Sequence, residues 1–190
     1  PFATRFIRPG ALPFIFSNED SLEAVVSRLR EKNWWGQVIG PHGSGKSTLL
    51  ASLVPALQSA ERIVISYSLH QGQRRLPSID RSTLSPQTQL VIDGYEQLSW
   101  WNKGRLKSLC RRHGCGLLVT AHADMGLPTI FQMNPTLTTA EVVIARLLPP
   151  GDSFVASADI ATAFQATEGN LREAMFRLYD VYQQRQNSAQ

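Results

Sequence analysis

Trp35-Gly36-Gln37-Val38-Ile39-Gly40-Pro41-His42-Gly43-Ser44-Gly45-Lys46-Ser47-Thr48-Leu49-Leu50 is the stretch on which the fold turns. Its first five residues form a short apolar run that predicts a strand. From Lys46 to Gln58, Leu49, Leu50, Leu53, Val54 and Leu57 recur at helical spacing, with Pro55 expected to kink the helix. Between strand and helix, Gly40, Gly43 and Gly45 supply the backbone freedom that lets successive N–H groups close on an anion. The helix that follows presents its positive dipole end to the same place, and Lys46 adds a full charge. The stretch therefore predicts a phosphate cradle made by Gly40, Pro41, His42, Gly43, Ser44, Gly45, Lys46, Ser47 and Thr48. Lys46 is directed at β- and γ-phosphate oxygens and Ser47 is a Mg²⁺ ligand. His42 either approaches the γ-phosphate or faces solvent.

Outward from this stretch, Glu19 to Arg30 reads as an amphipathic helix capped by Ser17. Ile63–Leu69, Gln89–Asp93, Gly116–Thr120 and Thr138–Leu148 read as further strands, and Trp100–Arg112, Ala158–Ala166 and Asn170–Gln184 as helices. Gln71 to Gln89 is polar and lacks periodicity. Strands alternating with helices predict an α/β fold with a parallel sheet covered on both faces. Pro149-Pro150 divides an expected core, residues 1–148 with an N-terminal arm, from a small helical lid at 149–190.

With 190 residues, 43% hydrophobic, the chain suffices for one sizeable core and not for two full domains. No apolar run reaches the roughly 20 residues of a spanning helix, and the opening residues lack a signal-like apolar stretch, so a cytoplasmic protein is the expectation. Cys110 and Cys115 match neither zinc nor redox spacing and are expected to be buried thiols. The net charge of +4 favours an anionic partner, which a nucleotide already satisfies.

Leu90-Val91-Ile92-Asp93-Gly94-Tyr95-Glu96 ends an apolar strand with a carboxylate, suited to hold a Mg²⁺-bound water. Together with the glycine loop, these residues make the chain resemble the additional-strand P-loop NTPases, the AAA+ and STAND/NACHT-like ATPases, from about Phe14 to Tyr182. The resemblance implies a P-loop three-layer sandwich whose five parallel strands run in the order 5-1-4-3-2, with ATP (or GTP) and Mg²⁺ as cofactors. Asp93 then corresponds to the Walker B aspartate. AAA+ proteins place a glutamate directly after it, whereas here Gly94 stands there. Asp-Gly-Tyr-Glu is closer to the STAND/NACHT pattern, so the resemblance hands the attacking water to Glu96. Thr120 matches a sensor 1 position at a strand end. Gly169-Asn170-Leu171-Arg172 resembles the start of a lid helix, which would bring Arg172 over the phosphates. Pro13-Phe14-Ile15-Phe16 resembles a segment that packs beside adenine, and an apolar arm over the core is the other reading.

No Lys or Arg occurs between His113 and Ala145, where an AAA+ ring would carry its arginine finger, so a minimal or divergent member is expected. The function implied is a Mg-dependent ATPase acting as a nucleotide-dependent switch on an unidentified protein partner. Two alternatives stay open: a non-hydrolysing nucleotide-binding module, and a small-molecule or nucleotide kinase. Lys103, Lys107 and Arg111 recur at i, i+4 and i+8, with Arg105 and Arg112 nearby, beside Trp100 and Trp101, offering nucleic acid a cationic stripe, the other reading being a solvated helix face.

Overall fold

A computed structural model describes residues 12–16, 20–149 and 154–188. The proposed Ser17 cap and the boundary at Pro150 lie outside these residues. The described residues divide into two compact units. One holds 21–40 and 50–132, and the other 41–49 with the described parts of 1–20 and 133–190.

The first unit carries a five-stranded sheet built from β1 (Trp35–Ile39), β2 (Ile63–Ser68), β3 (Thr88–Asp93), β4 (Gly116–Ala121) and β5 (Thr129–Gln132). The order is β2-β3-β4-β1-β5 and every pairing is parallel, the order expected when read from the other edge. β4 is buried at every position and β3 at all but its last, so both faces of the sheet centre are covered and the strands read as continuous apolar runs. β2 at the edge has only exposed and half-buried positions instead.

Leu90, Ile92, Leu117 and Val119 point to one side of β3 and β4 and pack with Leu106 and Cys110 of α3 (Trp100–His113). Each such side chain, fully buried, contributes about 1.5–3 kcal/mol. Ser99 caps α3 by accepting the Asn102 N–H, and Gly114 ends it in the left-handed conformation. Gln37, wholly buried in β1, is fully engaged. Its Nε2 donates to Asp124 Oδ1 (2.7 Å) and Thr129 Oγ1 (3.1 Å), and its Oε1 accepts from Met125 N (2.9 Å). These bonds tie the loop after β4 to the sheet. α1 (Leu22–Glu31) is capped by Ser21, whose Oγ accepts the Ala24 N–H, and buries Val25, Val26 and Leu29.

Helix α2 (Lys46–Ser59) runs through Pro55 and buries Leu49, Leu50, Leu53 and Leu57. In the second unit α4 (Leu137–Leu147), α5 (Ser157–Ala166) and α6 (Leu171–Ser188) pack together through Ala140, Ile144, Ile160, Ala163, Ala174 and Leu178.

The expected strand at Thr138–Leu148 is the helix α4, and the fifth strand is Thr129–Gln132 instead. Thr136 decides this locally: its side chain accepts the Thr139 N–H and starts a helix, whose Ala140 and Ile144 are buried one turn apart. The β-branched Thr138, Thr139, Val142, Val143 and Ile144 mimic a strand in composition, while burial follows the helical period.

Candidate functional site

β1 delivers the chain to Gly40, whose N–H is bonded to Ala121 O at the end of β4 (3.2 Å). The loop that follows adopts the conformations its glycines permit, with φ +68° at Gly43 and +95° at Gly45. α2 begins at Lys46, and Gly45 O accepts the first helical bond from Leu49 N (2.9 Å). Pro41 O is the internal anchor of the loop, accepting from Ser44 Oγ at 2.9 Å and from Lys46 Nζ at 2.7 Å. Lys46 and Ser44 are buried, His42 is exposed, and Ser47 and Thr48 are half-buried.

Two further groups stand against this loop. A Cβ on Gly43 would lie 1.7 Å from Asn170 Oδ1, so the carboxamide at the start of α6 rests directly on the Gly43 backbone. The same Oδ1 accepts the Glu173 N–H (3.2 Å), capping α6. A Cβ on Gly45 would lie 3.6 Å from the ring of Phe14, which packs edge-on to Phe16 with centroids 4.9 Å apart. Arg172, two residues beyond Asn170, is exposed in the first turn of α6.

The carboxyl ends of β3 and β4 assemble the acidic residues. Thr120 Oγ1 donates to Asp93 Oδ1 (2.5 Å) and accepts the Gly94 N–H (2.9 Å), so one buried hydroxyl fixes both the carboxylate and the turn after it. Gly94 has φ +78°, and a Cβ there would lie 2.7 Å from Leu69 O. A glutamate directly after Asp93 would be strained and would force this turn to shift. The next acid, Glu96, falls in a short 3-10 turn, Tyr95–Gln97, and its Oε1 lies 3.0 Å from His122 Nε2. His122 Nδ1 faces Gly40 O at 3.3 Å. Glu96 Oε2 is buried without a hydrogen-bond partner, an oxygen whose burial calls for a water or another donor. Among the described residues no group of three or more His, Cys, Asp or Glu side chains is arranged to hold a metal.

No role for His122 or for the Asn170 side chain is predicted from the sequence. The signals are present all the same: a histidine just past a strand end, and an asparagine before a helix.

The cations of α3 divide by face. Lys103 Nζ lies over the Tyr95 ring (5.4 Å to its centroid) and donates to Glu96 O (3.4 Å), Lys107 Nζ donates to Met125 O (3.3 Å), and the Arg111 guanidinium stacks on Trp35 (5.4 Å). Each cation of the expected stripe thus has a contact within the chain, with Lys103 and Lys107 half-buried and Arg111 exposed. Trp34 and Trp35 are half-buried, whereas Trp100 and Trp101 are 75% and 74% exposed.

Among the described residues no helix is long and apolar enough to cross a membrane. No protein-family model matches the chain, and a search of curated proteins found no match.

Proposed function

We propose that this chain binds ATP with Mg²⁺ at the Gly40–Ser47 loop and hydrolyses it, as a divergent P-loop ATPase that works as a nucleotide-dependent switch in the AAA+/STAND manner. The observation that carries the reading is the loop itself: left-handed glycines at 43 and 45 open into α2, with a buried Lys46 as its first residue. In the nucleotide-bound state Lys46 exchanges the neutral Pro41 carbonyl for phosphate oxygens, because a charged acceptor bonds an ammonium more strongly. By the resemblance, Ser47 would ligate Mg²⁺ and Asp93 would hold one of its waters, and the ion would supply charge neutralisation for the phosphates. Thr120 keeps the Asp93 carboxylate oriented. Glu96 orients the attacking water through its unpaired Oε2, while His122 restrains Oε1. Phe14 lies beside the loop, in keeping with an apolar wall for the base, and this favours ATP over GTP by resemblance alone.

The test is a titration of wild-type and Lys46→Ala protein with a fluorescent ATP analogue and Mg²⁺, together with phosphate release without any added acceptor. Binding lost in the variant, and release by the wild type, support the reading. Equal affinities would overturn it, binding without release would leave the non-hydrolysing module, and release only with an acceptor would indicate a kinase.

A further inference from the structure

On the side of α3 away from Lys103, Lys107 and Arg111, the helix and the segment joining β2 to β3 enclose a groove of about 490 Å³. Arg105 and Arg112 come from the helix wall, Arg75 and Arg81 from the facing segment, and no acidic side chain lines it. A second hollow of about 460 Å³, sharing Arg75, Asn102 and Arg105, extends it to Arg74 and Trp101. Trp101, Arg105, Ser108 and Arg112 follow i, i+4, i+7 and i+11, so they share one helix face and cover about 16 Å at a rise of 1.5 Å per residue. The nearest carboxylate in sequence, Asp80, is engaged by its own turn, where it accepts from Ser82 N (2.9 Å) and Ser82 Oγ (2.7 Å).

We propose that this groove binds single-stranded nucleic acid, with the arginines on its two walls holding successive phosphates and the exposed Trp101 ring stacking a base. Charge complementarity identifies the occupant as a polyanion. Arginines line both walls with no carboxylate among the lining residues, which makes the groove a locally cationic surface. The groove runs along one helix with arginines on two walls, so a single phosphate backbone lying in it would be flanked on both sides. The tryptophan pair narrows the class: Trp100 and Trp101 pack edge-on at 4.8 Å, yet each is about three-quarters exposed, which leaves ring faces to stack on bases. This site does not depend on the nucleotide reading, since it lies wholly within residues 74–112.

The experiment is fluorescence anisotropy of labelled oligo(dT) and oligo(U) with the whole chain across a salt series, with competition by duplex DNA and by polyglutamate. Wild-type affinity should fall linearly on a log–log plot, and R105Q with R112Q should flatten the slope by about 0.7 for each phosphate no longer neutralised. W101A should weaken binding about 5- to 150-fold, the equivalent of one base stack, with little change in salt slope. These residues are surface groups and melting curves should match the wild type. K46A should retain full binding, which separates this result from the fate of the ATPase proposal. The proposal is overturned by no binding at low salt, by R105Q/R112Q binding as the wild type does, or by duplex or polyglutamate competing as well as the single strand.

Discussion

Asn170 Oδ1 sits where a Cβ on Gly43 would have to be, 1.7 Å from that position, while the same oxygen caps α6 through Glu173 N. Residue 43 is therefore glycine for two reasons, its φ of +68° and the side chain resting on it. Gly43→Ala should displace Asn170 and uncouple the cap. Left-handed strain and a missing N-cap together cost about 2 kcal/mol, a fall in melting temperature of about 4–8 °C for a chain of this size. In a thermal denaturation cycle, Gly43→Ala with Asn170→Ala should be less destabilising than the sum of the two. Strict additivity would show that the two residues do not interact.

The two acids should separate in their phenotypes. Glu96→Gln keeps shape but loses the charge that polarises water, so single-turnover hydrolysis should fall about 10²- to 10⁴-fold with nucleotide binding intact. Asp93→Asn should instead weaken Mg²⁺-dependent binding itself, and Thr120→Val should follow it in part because it removes the hydroxyl that holds Asp93. Matching losses for Glu96→Gln and Asp93→Asn in both assays would refute the division of roles.

Gly94→Ala tests why the acid stands at 96. With φ +78° and Leu69 O at 2.7 Å from the added Cβ, the turn must shift and with it Glu96. Hydrolysis should drop and the melting temperature should fall; a variant of wild-type stability would show that the turn absorbs a side chain freely.

Cys110 and Cys115 are both buried, and burial pushes each thiol up, Cys110 to about 12 with the neighbouring Cys115 thiolate adding to it. A thiol whose folded value exceeds its unfolded one stabilises the fold fully at pH below the unfolded value. That contribution is lost as pH rises above about 8.5–9 towards 12. Native protein at pH 8 should therefore resist iodoacetamide until denatured, and stability should decline above about pH 9 less steeply in Cys110→Ala. Rapid labelling of the native protein would contradict this burial.

The first four strands and most of the helices were legible because each buried strand is a short apolar run and each helix carries a stripe, whereas the strand order came from the family resemblance alone. Where local composition and tertiary burial disagreed, at Thr138–Leu148, composition misled: β-branched residues suit a strand, but capping by Thr136 and packing of Ala140 and Ile144 made a helix. Thr129–Gln132, four residues with a polar residue at each end, is too short to announce itself, and only its pairing with β1 makes it a strand.

The candidate site divides in the same way. The glycine loop, Lys46, Ser47 and the strand-ending Asp93 were set by the sequence alone, because glycine freedom, a charge at a helix start and a carboxylate at a strand end are local properties carried by consecutive residues. Only the tertiary structure decided that Thr120 holds Asp93, that His122 restrains Glu96, that Asn170 rests on Gly43, and that Lys103, Lys107 and Arg111 are occupied while Arg105 and Arg112 face a groove. Those partners lie far apart along the chain, or differ only in which side of one helix they occupy. Their meeting depends on sheet order, strand register and helix rotation, which packing determines over the whole unit and no short stretch of residues contains.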